Sequence, residues 1–66
     1  MTQISYHIIR DESVMSVIYG VEASDGEAVH RVTTDFREIS ALVESFNQFE
    51  LSSVHLYEAV EDFRRS

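Results

Sequence analysis

The spacing of apolar residues changes once along the chain, and this change limits which folds are open to it. In residues 3–34 apolar and polar side chains alternate, as in "ISYHII" and "VMSVIYGVEA". A period of two residues is typical of strands with one buried face. In residues 35–66 apolar residues recur at helical spacing, which is typical of amphipathic helices. The sequence therefore predicts a group of strands followed by a group of helices.

The dipeptide Asp25-Gly26 lies between two alternating segments and is a strong hairpin signal. A two-residue type I′ loop needs positive φ at both positions, which Asp and Gly tolerate well. With that loop, Val21 is expected opposite His30, so that His30 faces the core. A histidine there is either a pH-sensing or catalytic group or a partly buried side chain satisfied by backbone or water. The second interpretation is favoured because no nucleophile is paired with this histidine.

The polar segment "RDES" predicts an earlier turn at Asp11-Glu12. This turn places Tyr6 opposite Val17 and puts the apolar residues of both hairpins on the same face. The agreement favours a three-stranded antiparallel meander. Gly20 lies in the middle of the second strand, where glycine is expected at a bulge or at a close approach of another backbone.

Two amphipathic helices are expected in the second half of the chain. Asp35 followed by Glu38 resembles a capping box. Asn47 is the expected stop of the first helix, in the left-handed conformation, and Ser52 is a good N-cap for the second. The two apolar stripes contain Phe36, Ile39, Leu42, Val43 and Phe46, then Leu56, Ala59, Val60 and Phe63. The sequence thus predicts one α+β domain over residues 1–66, in the order β-β-β-α-α, with both helices on one sheet face.

The charge and composition limit the possible partners. The net charge is −7, with no basic patch to neutralise phosphates, so neither nucleic acid nor an anionic membrane surface is an expected partner. Cysteine is absent, which leaves no disulfide or thiolate site. No apolar run approaches the length of a membrane span. No signal peptide is predicted at the N-terminus, and a cytoplasmic location is expected.

Three charged residues near the C-terminus, His55, Glu58 and Asp62, lie on one side of the predicted second helix. They form either a metal or acid–base cluster or a solvated helix face. The solvated face is favoured, because a single helix offers only three ligands and no paired-histidine motif is present. Tyrosines at 6, 19 and 57 line either a ligand pocket or the core, and the core is favoured. We therefore expect no catalytic residue, no metal, no cofactor and no enzymatic activity.

The second face of the predicted sheet is the surface that suggests a partner. It carries a cluster of apolar residues on an otherwise polar face, and a small domain gains stability when a partner covers such a cluster. The predicted interface residues are Ile9, Val14, Ile18 and Val29. The leading hypothesis is a small interaction or regulatory module that forms a homodimer through this face or through a strand edge. One alternative is a small-ligand or metal-binding domain that uses the sheet–helix crevice or the helix face of His55, Glu58 and Asp62. Another is an acidic decoy that binds a basic partner.

The segments "YGVEA" and "VTTDFREISALVESFNQFELSSVHLYEAVEDF" resemble a family of short uncharacterised proteins from Gram-positive anaerobic bacteria. The shared features are a strand that ends in Tyr-Gly-Ile/Val, a helix, an Asn, and a closing helix. They fall on Tyr19, Gly20, Val21, Asn47, His55, Leu56, Val60, Asp62 and Phe63. The resemblance covers nearly the whole chain. It implies a domain of unknown function and supplies no activity.

Overall fold

Three antiparallel strands form the sheet of this protein in a computed structural model, which describes residues 4–13 and 15–65. Strand β1 spans Tyr6–Glu12, β2 spans Val17–Ala23 and β3 spans Ala28–Thr33. Each strand pairs with the next along the chain, in the order β1-β2-β3. The predicted antiparallel meander is confirmed.

Two helices follow the sheet, as predicted. Helix α1 spans Phe36–Gln48, a short 3₁₀ helix spans Ser53–His55, and helix α2 spans Leu56–Arg65. Helix α1 packs mainly on β1 and β2, whereas α2 packs on β3. The fold is therefore α+β, in the order β-β-β-α-α. No helix within the described residues is long and apolar enough to cross a membrane.

The first hairpin has a later turn than the sequence indicates. Strand β1 continues through Glu12, and the turn at 13–16 is closed by the N–H of Ser13, which donates to the carbonyl of Ser16 at 2.8 Å. Tyr6 therefore lies opposite Ala23 and not opposite Val17. The two positions differ by an even number of residues, so every side chain stays on its predicted face. The predicted turn at Asp11-Glu12 is wrong.

The second hairpin is displaced by a single residue, and this displacement changes which side chains are buried. The N–H of Ala23 donates to the carbonyl of Glu27 at 2.7 Å, and Gly26 has φ +102°. These features fit a three-residue loop that ends in a residue with positive φ. Asp25 favours the longer loop because its Oδ1 accepts the N–H of Glu27 at 3.1 Å.

Because of this loop, Val21 lies opposite Val29 rather than opposite His30. Val29 is 7% exposed and belongs to the core, so its predicted place on the outer sheet face is wrong. His30 is exposed, so its predicted place in the core is wrong too. A slip of one residue reverses the two faces of a strand, which accounts for both corrections.

Gly20 lies beneath a bulge of β3, which confirms the interpretation of this glycine. The register of β2 and β3 shifts between Tyr19, opposite Thr33, and Val21, opposite Val29. A Cβ atom at position 20 would lie 2.5 Å from the carbonyl oxygen of Val29. Any side chain at position 20 would therefore push β3 away from β2.

The bulge also places Arg31 in the left-handed region, with φ 58°. Arginine rarely adopts this conformation without support from its surroundings. Here the carbonyl of Arg31 accepts the Nη2 group of Arg64 at 3.0 Å. This contact joins the end of α2 to the irregular part of β3.

The start of α1 follows the predicted cap with one change. Asp35 accepts the N–H groups of Arg37 at 2.8 Å and of Glu38 at 3.3 Å, so it is the N-cap. The Glu38 carboxylate accepts the hydroxyl of Thr33 at 2.9 Å, and that hydroxyl accepts the N–H of Asp35 at 3.1 Å. Thr33 thus mediates the return contact that Glu38 makes directly in an ordinary capping box.

The end of α1 is a Schellman motif, and its left-handed residue is Glu50 and not Asn47. Glu50 has φ 51° and donates its N–H to the carbonyl of Asn47 at 3.3 Å. Leu51 donates to the carbonyl of Phe46 at 3.0 Å. This pair of bonds defines the motif. Asn47 is still helical, so the predicted stop at Asn47 is wrong.

The core lies between the inner sheet face and the two helices. The fully buried side chains include Val21, Ile39 and Leu56, each 0% exposed. Both predicted helix stripes contribute to it, since α1 buries Ile39, Val43 and Phe46, and α2 buries Leu56 and Val60. The remaining core residues are Tyr6, Val21, Ala23 and Val29.

Candidate interaction surface

The four residues predicted to form an interface do not form one apolar patch. Ile9 and Ile18 are half-buried within the single chain. Ile9 lies opposite Gly20, and Ile18 lies opposite Asp11. Val29 is in the core, and Val14 lies outside the described residues. Of the four, Ile9 and Ile18 are therefore the described residues that remain on the outer face, and each is partly covered.

Polar pairs occupy much of the outer sheet face. His7 on β1 contacts Glu22 on β2, with Nε2 and Oε1 at 2.8 Å. His30 on β3 reaches Asp11 on β1, with Nδ1 and Oδ2 at 3.6 Å. The two strands that carry His30 and Asp11 are not neighbours. Gly20 permits this approach, since it has no side chain to separate β3 from β1.

The outer edge of β1 is partly closed by a side chain from α1. The Oδ1 of Asn47 accepts the N–H of Tyr6 at 2.7 Å, and the Nδ2 of Asn47 donates to the carbonyl of Tyr6 at 2.9 Å. The amide therefore pairs with both backbone groups of Tyr6, as a neighbouring strand would. These bonds show that the N–H and C=O of Tyr6 point away from β2.

The rest of this edge is open. Backbone groups of alternate residues point in the same direction along a strand, so Ile8, Arg10 and Glu12 direct their N–H and C=O groups outward as Tyr6 does. We find no side-chain partner for these outward groups among the described residues. Arg10 and Glu12 instead contact each other, with Nη2 and Oε1 at 3.1 Å. We call Ile8–Glu12 the open edge.

Of the predicted cluster near the C-terminus, His55 and Glu58 form a solvent-facing pair, and Asp62 lines the same depression as Glu58. His55 Nδ1 lies 3.7 Å from Glu58 Oε2, and both side chains are mostly exposed. Within the described residues, no group of three His, Cys, Asp or Glu side chains is arranged to hold a metal ion. A shallow depression on α2 is lined by Tyr57, Glu58, Glu61, Asp62 and Arg65.

The three tyrosines do not converge on a pocket. Tyr6 is in the core and donates its hydroxyl to the carbonyl of Leu51 at 2.6 Å. Tyr19 packs edge-to-face on Phe36, with ring centroids 5.4 Å apart. Tyr57 is 60% exposed. The predicted place in the core is therefore confirmed for Tyr6. Tyr19 is half-buried, so the prediction holds for it in part, and it is wrong for Tyr57.

Two perturbed groups lie where the sheet meets the segment after α1. Burial raises the pKa of Tyr6, and the Asp25 carboxylate raises it further. The Ser53 hydroxyl donates to Asp25 and lowers the pKa of that carboxyl, and the N–H of Glu27 lowers it further. Tyr6 ties the segment after α1 to the core, and Asp25 ties the second hairpin loop to Ser53, which indicates a structural role for both.

Sequence reasoning missed Asn47 as the residue that shapes the β1 edge. The amide of Asn47 comes from the last turn of a helix and reaches a residue far away in sequence. No local pattern signals such a contact, although Asn has the donor and acceptor that a strand edge requires.

Comparison with known proteins finds no matching family model, no similar curated protein and no similar solved structure. The resemblance to short bacterial proteins therefore stays a prediction, and the function has to be argued from the geometry of the chain itself.

Proposed function

We propose that this protein is a small non-enzymatic interaction module that acts as a homodimer, joined through the open edge Ile8–Glu12. The observation that supports it is the set of outward backbone groups on Ile8, Arg10 and Glu12. Unpaired groups along a strand edge are a template for a second strand. Main-chain bonds then supply affinity, and alternate side chains supply specificity.

The open edge lacks three of the usual protections against pairing. Natural edge strands carry proline, lysine, other charged side chains or a bulge. Strand β1 has neither proline nor lysine in "YHIIRDE", so its protection is limited to the charges of Arg10, Asp11 and Glu12. Its pairing with β2 is regular along the whole strand. The bulge of this sheet lies on the other side, between β2 and β3. The protection contributed by Asn47 ends at Tyr6, so a partner strand can reach the rest of β1.

The size of the domain supports a partner as well. A chain of 66 residues buries only about 60% of the surface that its unfolded form exposes. Domains of this size commonly add disulfides, a metal or a second subunit. Cysteine is absent, which leaves the second subunit as the simplest addition.

The proposal places the dimer in the cytoplasm, without a nucleic-acid or membrane partner. The net charge of −7 repels both phosphate backbones and anionic lipid surfaces. The same charge keeps the protein soluble.

The test is the mass in solution, measured by light scattering over a concentration series. We expect the wild-type protein to have twice the 7.6 kDa mass of one chain. Arg10→Pro removes an N–H that points away from β2, so it blocks the edge and leaves the β1–β2 ladder intact. We expect this variant to be a folded monomer.

Arg10→Val is the matched control, because it removes the same charge and keeps the N–H. It should weaken the dimer far less than Arg10→Pro does. A wild-type protein that stays monomeric at high micromolar concentration contradicts the proposal. A dimer that survives Arg10→Pro shows that the copies meet at another surface.

A further inference from the structure

The open edge has two fixed ends, and these ends limit how a second copy can pair with it. This argument rests on the proposed homodimer. At one end, the backbone groups of Tyr6 are already bonded to Asn47. At the other end, the turn at 13–16 begins, closed by Ser13 and Ser16. Between these two ends, Ile8, Arg10 and Glu12 are the described residues that can donate and accept across the edge.

We infer that two copies of β1 pair antiparallel about a two-fold axis that passes through Arg10. In a symmetric antiparallel pair, outward residues must face outward residues of the second copy. Any axis through a residue of β1 satisfies this condition, but only three axes pair at least two of the outward residues Ile8, Arg10 and Glu12. These axes pass through Ile9, Arg10 or Asp11.

The register centred on Ile9 meets an obstacle. It places Glu12 opposite Tyr6 of the second copy, where the Asn47 amide already occupies both backbone groups. The strand would have to displace two hydrogen bonds to pair there. Asn47 therefore disfavours this register and every register shifted further in the same direction.

The register centred on Asp11 pairs fewer of the outward backbone groups and also contains a like-charge pair. It places the two Asp11 residues at a non-hydrogen-bonded position, where Cα atoms are only about 4.5 Å apart. Like charges directly opposite each other destabilise a strand pair. Within the open edge this register pairs only Arg10 with Glu12 of the second copy, which gives about four backbone hydrogen bonds and leaves the outward groups of Ile8 unpaired.

The register centred on Arg10 uses the whole open edge. Ile8 lies opposite Glu12 of the second copy, Arg10 lies opposite Arg10, and these pairs form about six backbone hydrogen bonds. Each Arg10 contacts its own Glu12 at 3.1 Å and lies diagonally across from Glu12 of the second copy. The two Arg10 side chains face each other, an unfavourable like-charge pair, and Glu12 of both copies flanks each of them, so the four charges sum to zero. The number of backbone hydrogen bonds therefore favours this register, and the charges do not decide it.

The test is a pair of single-cysteine variants, Ile9→Cys and Asp11→Cys, in a chain that has no cysteine of its own. In the Arg10-centred dimer, position 9 lies opposite position 11 of the second copy, with Cα atoms about 4.5 Å apart. That distance permits a disulfide. Position 9 and its own copy are about 8 Å apart, beyond the reach of a disulfide.

The two variants are mixed, allowed to exchange, oxidised under mild conditions and analysed by mass spectrometry. We expect the mixed 9–11 product to exceed either self-linked product by about tenfold. A dominant 9–9 product indicates the Ile9-centred register, and a dominant 11–11 product indicates the Asp11-centred one. Either result overturns the inference while the homodimer stands.

Light scattering on the unoxidised variants separates this inference from the proposed function. A mixture that is dimeric but forms no disulfide shows that the copies do not pair through β1 in any of these registers. If both the mixture and the wild-type protein are monomeric, the result contradicts the proposed homodimer and therefore this inference as well.

Discussion

The contact between Asn47 and Tyr6 makes the sharpest prediction about stability. Asn47→Ala removes two side-chain to backbone hydrogen bonds, of 2.7 and 2.9 Å. Each such bond contributes about 1 kcal/mol net, so the loss is about 2 kcal/mol. Alanine is the better helix former by about 0.5 kcal/mol, and it offsets part of this loss. The expected net destabilisation is about 1.5 kcal/mol.

The assay is urea unfolding followed by circular dichroism, with a thermal melt as a second readout. For a domain of this size, each kcal/mol shifts the Tm by about 4–8 °C, so Tm should fall by about 6–12 °C. Gln48→Ala is the control, since Gln48 is the next residue of the same helix and is exposed. It should change stability by less than about 0.5 kcal/mol.

An isosteric variant separates the hydrogen bonds from packing. Asn47→Asp keeps the shape and the acceptor for the Tyr6 N–H, but it turns a carboxylate oxygen toward the Tyr6 carbonyl. At neutral pH it should be at least as unstable as Asn47→Ala. If Asn47→Ala and Gln48→Ala have the same stability, the Asn47 amide does not hold the β1 edge in solution. The open edge would then not end at Tyr6.

Two further predictions concern the loops at either side of Tyr6. Glu50 has φ 51°, a conformation that glycine adopts without strain. Glu50→Gly should therefore be more stable than Glu50→Ala by about 1 kcal/mol in urea unfolding. Equal stabilities would mean that position 50 is not left-handed in solution. The pKa of Asp25 is lowered in the folded protein, chiefly by the Ser53 hydroxyl. Ionised Asp25 therefore stabilises the fold above a pH of about 4. This stabilisation is lost as the pH falls through the pKa of the folded state. Melting curves should accordingly show wild type and Asp25→Asn converging as the pH falls below about 4, whereas a constant difference would contradict the linkage.

The faces of the strands could be predicted from the sequence, but their registers could not. Alternation of apolar residues places Tyr6 and Val21 on the inner face whatever the pairing. The first hairpin shows why agreement of faces is weak evidence for register. Its true turn differs from the predicted one by an even shift, so the wrong register gives the same faces.

The predicted register of the second hairpin was wrong for a different physical reason. An Asp-Gly pair fits both a two-residue loop and a longer loop in which Gly follows a type I turn. The difference between them is one residue, and it exchanges Val29 and His30 between core and solvent. The decision comes from the Asx contact of Asp25 with Glu27, together with the gain from burying valine in place of histidine.

Asn47 shows where local reasoning gives way to tertiary contacts. The conformational tolerance of asparagine suggests a helix stop, and the chain instead places the left-handed residue at Glu50. The amide is thereby kept on the last turn of α1, where it can reach Tyr6 on β1. A stop at Asn47 would have freed the helix end and left the whole edge of β1 open. The position of one helix terminus therefore decides how much of the β1 edge stays open, and that is why the cysteine experiment on residues 9 and 11 also tests the end of α1.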